Sequence, residues 1–238
     1  MVDIHSHILY DIADSPTSIE ISLEIAKQYI KCGFTHIVST PHYNPSNEDS
    51  DSFLLKCDNK YNKLNDLLYQ SNLTLSIIPG AEVTLCPELL NIRNINRFCI
   101  ANSTYMLVEL PWNQFPYWTQ SILYELELRK ITPILAHPER NQGIYKHYDK
   151  FTKLIESGLL IQIDAFSLFE GGTCKKIIRR LFRENAVSFI ATDTHQPDRR
   201  LLYFNKALSV SKKRYGESRT NRILNNSSLV INNCLINY

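Results

Sequence analysis

His5 and His7, spaced His-x-His, are the first residues in this chain with the chemistry of a site. Side chains alternate faces along a strand, so two histidines one residue apart point the same way. Two imidazoles side by side at a strand exit can hold one metal ion from one direction. The pair alone is weak evidence, because single buried or surface histidines are ordinary. Recurrence gives it weight. Asp14 lies in the next loop, and His42, Glu82, Glu109 and His137 follow four further strand-like runs in order; Asp193 and His195 follow the last. Five of the seven histidines and four carboxylates are thereby collected. That is too many ligands for one ion. The set points to two or three ions with bridging carboxylates, an arrangement that clamps both oxygens of an in-line displacement. No cysteine is among the candidates, which suits Mn²⁺ or Fe better than a structural zinc site and leaves Zn²⁺ open. The other two histidines, His36 within a strand and His147 at a helix start, read as structural or surface groups.

The elements that must position these residues alternate regularly. Strands are expected over 2–7, 34–40, 73–79, 105–110, 132–136, 159–165 and 187–191. Helical periods fall over 18–33, 53–71, 117–129, 148–157, 173–185 and 199–215, with a shorter one near 219–224. Asn44–Asp51 reads as a polar loop. Repeated strand-helix units imply a parallel sheet. Seven units in 238 residues suggest a distorted (β/α)7 barrel, TIM-like, with its site at the C-terminal strand ends. The whole of 1–238 is expected to be one domain. No G-x-G-x-x-G or G-x-x-x-x-G-K occurs, so dinucleotide and P-loop readings find no support.

The net charge of +2 favours no polyanionic partner, and no run of basic residues suggests a nucleic-acid arm. The chain opens directly into a strand, and no apolar run reaches the length of a membrane span. Six scattered cysteines without C-x-x-C spacing read as free thiols. These features together give the expectation of a cytoplasmic protein without membrane insertion.

The motifs resemble one family. Asp3-Ile4-His5-Ser6-His7, Thr40-Pro41-His42, Gly80-Ala81-Glu82, Val108-Glu109-Leu110-Pro111, Ala136-His137-Pro138-Glu139-Arg140 and Thr192-Asp193-Thr194-His195 resemble the PHP (polymerase and histidinol phosphatase) superfamily. More narrowly they are similar to bacterial metal-dependent tyrosine-protein phosphatases of capsular and exopolysaccharide assembly. The resemblance runs from Val2 to about Leu201, and Ala-His-Pro-Glu-Arg is its most specific piece. It implies a trinuclear site, usually manganese. His5, His7, Glu82 and Asp193 would hold one ion; Glu82 would bridge to a second completed by Glu109 and His137; Asp14, His42 and His195 would hold the third. It also implies phosphotyrosine on a cognate polysaccharide-export tyrosine kinase as substrate. One turn departs from the pattern: where paired aspartates are typical, Ala13 stands before Asp14, and Asp11 is new. The third site is the one this puts in question.

Arg140, three residues after His137, is the expected phosphate clamp, because guanidinium binds phosphate bidentately. Arg199 or Arg200 would help from the last loop. Asp3 is expected either to orient His5 or to be a buried polar group at the strand start. Tyr43, Trp112, Phe115, Tyr117 and Trp118 are candidates for an aromatic peptide rim. Three alternatives stay open. Cys174 and Arg180 fit C-x5-R, the thiolate phosphatase pattern, although the stretch has helical periodicity. The same scaffold could hydrolyse a small-molecule phosphate such as histidinol phosphate or a nucleotide. It could also be a binding module without catalysis.

Overall fold

The computed structural model describes residues 1–236. In chain order the elements are β1 (Val2–Ser6), α1 (Ile19–Lys31), β2 (His36–Ser39), β3 (His42–Tyr43), α2 (Ser50–Gln70), β4 (Ser76–Pro79), β5 (Glu82–Thr84), β6 (Tyr105–Glu109), α3 (Thr119–Leu128), β7 (Thr132–Ala136), α4 (Gln142–Lys146), α5 (Tyr148–Glu156), β8 (Leu160–Asp164), α6 (Gly172–Arg183), β9 (Val187–Ala191), α7 (Arg199–Leu202), α8 (Phe204–Tyr215) and α9 (Glu217–Ile231). All the pairings are parallel, in the orders β1-β2-β4 and β3-β5-β6-β7-β8-β9. The expected α/β architecture is present; the expected strands 34–40 and 73–79 appear as β2 and β4, and each is followed, after a break, by a short further strand, β3 and β5, that the sequence reading did not include.

Both breaks have a local cause. β2 and β3 are interrupted at Thr40-Pro41, and proline has no N–H for the ladder. β4 and β5 are interrupted at Gly80-Ala81. A Cβ at Gly80 would stand 2.8 Å from the Val38 side chain, so the close approach of the strands there requires glycine. After the two breaks His42 and Glu82 face each other as register partners. At the other edge, β1 meets the segment after β9 through two backbone bonds, Asp193 N–H to His5 O (3.0 Å) and His7 N–H to Thr194 O (2.9 Å). The buried Asp3 carboxylate fastens this seam, accepting from the Thr192 hydroxyl (2.6 Å), the Thr192 N–H (3.2 Å) and the Tyr29 hydroxyl (2.8 Å). Among the described residues the two sheets thus meet at this edge through a short backbone seam rather than a strand ladder.

Apolar residues line both faces of the sheets. Ile4, Val38, Leu107, Ile134, Leu160 and Phe189 form an enclosed cluster, with Val230 of α9 against it. The larger core lies between sheets and helices. Along single strands the enclosed row changes character with period two: Leu107 then Glu109, Leu160 then Gln162 and Asp164, Phe189 then Ala191 and Asp193. Apolar residues fill the base and polar ones gather at the C-terminal rim.

Three helix boundaries differ from the sequence reading. α2 starts inside the expected Asn44–Asp51 loop, because Asp49 accepts from the Ser52 N–H (2.9 Å) and caps it. The stretch 199–215 forms two helices, broken at Tyr203. α9 continues to Ile231, well past 224. Its later turns bury polar residues that carry no apolar period: Asn226 donates to Ser188 O (2.9 Å).

Candidate metal centre

Glu82 opens β5 and is fully buried, and four imidazoles meet its carboxylate. Its Oε2 lies 3.0 Å from His5 Nε2, 3.2 Å from His7 Nε2 and 3.2 Å from His42 Nδ1; its Oε1 lies 2.8 Å from His137 Nε2. Asp193 Oδ1 lies 3.2 Å from both His5 Nε2 and His7 Nε2. The two Nε2 atoms are themselves 3.1 Å apart. Two imidazole nitrogens and two carboxylate oxygens thus converge on one buried point. Asp193 Oδ1 has no hydrogen-bond partner there among the described residues. Converging lone pairs with too few protons are what a cation satisfies.

The neighbouring groups extend this point. His42 Nδ1 reaches Glu109 Oε1 (3.3 Å), which also accepts from the Thr84 hydroxyl (3.1 Å). Asp14 Oδ2 lies 3.0 Å from His195 Nε2 and 3.6 Å from His42 Nε2. Three sets have ligand atoms close enough for one ion: His5, His7, Glu82 and Asp193; His42, Glu82 and Glu109; and His7, Asp14, His42 and His195. All nine residues singled out in the sequence are in contact within this rim. His137 touches Glu82, whereas His42 completes the second set geometrically.

Hydrogen bonds outside the cluster fix the tautomers. Gln162 Oε1 accepts from His5 Nδ1 (2.9 Å), which leaves His5 Nε2 facing the cluster. His195 Nδ1 donates to Asp193 O (3.0 Å) and leaves its Nε2 facing Asp14. His5 is oriented by Gln162, so Asp3 is the buried structural group at the seam. His137 and Asp193 hold left-handed backbone, with φ of 31° and 50°. Such strain at two residues aimed into one site is typical of functional positions.

Charge follows from this packing. Burial opposes charge on His5, but Glu82 and Asp193 outweigh it and raise its pKa to about 9. Burial lowers the pKa of His7. Burial also opposes charge on His42, yet Asp14 and Glu109 raise it to about 11. Against burial, the histidines hold Glu82 and Asp193 well below the usual carboxylate range.

The arginines separate. Arg140 Nη1 donates to Asp193 Oδ2 (2.5 Å), and its Nη2 lies against Asp164 Oδ2. Arg200 Nη1 donates to the same Asp164 oxygen (3.0 Å). Arg199 is exposed and has no ion pair among the described residues. Asp164, the exit residue of β8, was not singled out in the sequence, although the strand-exit rule that found the other acids also covers it. Gln162 and the buried Glu139, which accepts from the Asp164 N–H (2.8 Å), were missed as well. Of the aromatic rim, Tyr43 is core, packed on Phe98 at 4.4 Å, while Trp112 and Tyr117 are exposed. Cys174 is buried on α6, where desolvation pushes its thiol up to about 12. Arg180 pairs with Glu184 (3.1 Å), away from any cradle, and the thiolate reading fails on geometry.

A parallel α/β scaffold carrying a histidine-carboxylate cluster at its C-terminal rim is an architecture suited to holding metal ions. The chain belongs to the capsular polysaccharide synthesis family CpsB/CapC, whose profile matches residues 1–232. It is 34% identical over 236 residues to a putative tyrosine-protein phosphatase CapC of Staphylococcus aureus, spanning 98% of this chain and 92% of that protein. It is 29% identical to the tyrosine-protein phosphatase YwqE of Bacillus subtilis over the same shares. A chain from the crystal structures of Bacillus subtilis YwqE and Streptococcus pneumoniae CpsB, described as metal-dependent tyrosine phosphatases, superposes with a TM-score of 0.89 at 28% identity, covering 100% of this chain and 96% of that one. A histidinol phosphate phosphatase from Lactococcus lactis shares the fold, with a TM-score of 0.54 at 15% identity over 90% of this chain and 94% of that one.

Proposed function

We propose that this chain is a metal-dependent protein-tyrosine phosphatase, and that residues 1–238 act as one catalytic domain. The carrying observation is the buried Glu82 carboxylate, met by four imidazoles and flanked by Asp193 beside an arginine pair. Membership of CpsB/CapC and relatives named tyrosine-protein phosphatases support the same reading. His5, His7, Glu82 and Asp193 would hold the first ion. Glu82, Glu109 and His42 or His137 would hold the second, and Asp14, His42 and His195 the third. An all-nitrogen-and-oxygen set favours Mn²⁺, with Fe or Zn²⁺ as the alternatives.

Bound divalent ions in such a set activate water and neutralise phosphoryl charge. The protein's own residues supply the rest. Arg140 and Arg200 bind the phosphoryl oxygens, and phosphate takes over donors that Asp193 and Asp164 occupy here. Gln162 keeps the His5 ring oriented. A tyrosine leaving group, with a pKa near 10, needs less protonation than an alkoxide. The family description names capsular polysaccharide synthesis, which supports a polysaccharide-export tyrosine kinase as the phosphotyrosine protein. The six free cysteines support a cytoplasmic setting for this activity.

The test is turnover by metal-reconstituted protein of a phosphotyrosine peptide against a phosphoserine peptide and histidinol phosphate. Preference for phosphotyrosine, abolished by chelator and retained by Cys174→Ser, is expected. Rapid histidinol phosphate hydrolysis with the peptide untouched would sink the reading.

A further inference from the structure

Trp112 is 73% exposed on the loop after β6. Most large apolar side chains find burial; this one is held in water. The loop that carries it is clamped. A Cβ at Gly143 would stand 2.5 Å from the Gln114 carbonyl carbon and 2.6 Å from the Phe115 nitrogen, so the loop backbone lies directly on α4. Asn141 Nδ2 donates to Pro111 O (3.3 Å), and the Gln142 N–H donates to Asn113 Oδ1 (3.2 Å). Residues 138–143 also carry Arg140. Trp112 and Arg140 are therefore held on one rigid piece.

A groove of about 650 Å³ opens between this piece and the start of α6. Trp112, Gly171, Gly172, Arg140 and Arg200 line it, together with the acids Glu139 and Glu170. A Cβ at either glycine would meet nothing within 4 Å. Gly171 has extended backbone, φ −109° and ψ −160°, which any residue adopts. Its missing side chain serves no backbone need; it leaves the groove wall flat and open. The groove thus offers an exposed indole, a bare wall and two guanidinium groups. A flat ring bonded to a phosphate matches those three features.

Resting on the phosphatase reading above, we infer that this groove is an aryl subsite. The phenyl ring of phosphotyrosine lies on Trp112 against Gly171 and Gly172, with its phosphate towards Arg140 and Arg200. Trp112 is then a specificity-determining residue that favours aryl over alkyl phosphates.

Phenylphosphonate and methylphosphonate, neither hydrolysable, provide the test by calorimetric titration of the metal-loaded protein. Phenylphosphonate should bind the tighter. Trp112→Ala should weaken it roughly three- to tenfold, the range of an aromatic pair, and leave methylphosphonate unchanged. Gly171→Leu should do the same by filling the slot. In a Trp118→Phe background Trp112 is the remaining tryptophan, and phenylphosphonate should shift its emission where methylphosphonate does not. Equal binding of phenylphosphonate by wild type and Trp112→Ala, equal loss of both phosphonates, or no phenylphosphonate binding at all would overturn the subsite. Trp112-dependent phenylphosphonate binding without phosphotyrosine turnover would instead sink the functional reading and leave the subsite standing.

Discussion

The inner and outer parts of the cluster are built from the same residue types on different supports. His5, His7 and Glu82 have fully buried side chains and Asp193 is 4% exposed. They sit on or beside strands, with Gln162 and the Asp3 seam behind them. Asp14, His42 and His195 have side chains 58%, 27% and 25% exposed, and Asp14 comes from a loop. That loop holds Asp11 and Ala13 in left-handed backbone, and Asp11 is tied outward to Lys60 (2.7 Å) rather than to the cluster. Solvent screening weakens a charge contact at the rim, and a loop ligand loses more freedom on binding than a strand ligand. The inner set should therefore hold metal tightly and the outer set loosely.

Glu82→Gln is the sharpest way to break that contrast, because the buried set and the His42, Glu82 and Glu109 set share this carboxylate. Metal content by mass spectrometry should fall to one ion or fewer per chain, and turnover should drop by about 10³-fold or more. Full inner occupancy would remove Glu82 from the centre. Gln162→Leu acts one step further out. It releases the His5 ring without removing a ligand, so inner-ion affinity should fall about 10- to 100-fold while the ion count at saturation is kept.

Proton competition offers a graded test on the unaltered protein. His5 has its pKa raised to about 9, above its ordinary value of 6.5. In metal-free protein its contribution to stability is fully present below about 6.5 and is lost as pH rises through about 9. The depressed carboxylates Glu82 and Asp193 contribute above their ordinary range and lose that contribution in acid. Thermal melts of chelated protein should therefore decline from pH 6.5 to 9, whereas metal-loaded protein should not, because the ion replaces the proton. Inner-ion affinity should rise about tenfold per pH unit for each proton displaced. Asp14→Ala should have a smaller effect: loss of the weakest ion, both inner ions kept, and a turnover decrease on the order of tenfold. Simultaneous loss of all ions would make inner and outer sets one cooperative unit.

What could be read from the sequence follows the same division. The strand ligands announced themselves, because period-two strands ending in a histidine or acid recur through the chain. Asp164 ends its strand as Glu109 does, and the same strand-exit rule reaches it. Gln162 was invisible because an amide within Leu-Ile-Gln-Ile-Asp reads as one polar interruption; its role depends on which strand lies across from it. The broken strands and the β1 seam were hidden for the same reason, being properties of neighbours brought together by folding. α9 was cut short because its buried Asn226 and Ser227 spend their polarity on partners inside the protein.

The loop ahead of Asp14 carries the smallest prediction. Ala13 sits at φ 49°, where an L side chain crowds the carbonyl, at a cost of about 1 kcal/mol. Asp11, at φ 54°, belongs to a residue type that tolerates this region better. Ala13→Gly removes the Cβ without touching a ligand. It should raise Tm by about 2–4 °C, the shift that 1 kcal/mol gives a chain of this size. If local strain is what loosens the outer ion, its affinity should also rise, by up to about fivefold, with the inner ions unmoved. A higher Tm with unchanged outer affinity would assign the weakness to the exposure of Asp14 instead. A lower Tm would mean that Ala13 stabilises its loop by stiffening it, and that the contrast between the two sets owes nothing to backbone strain.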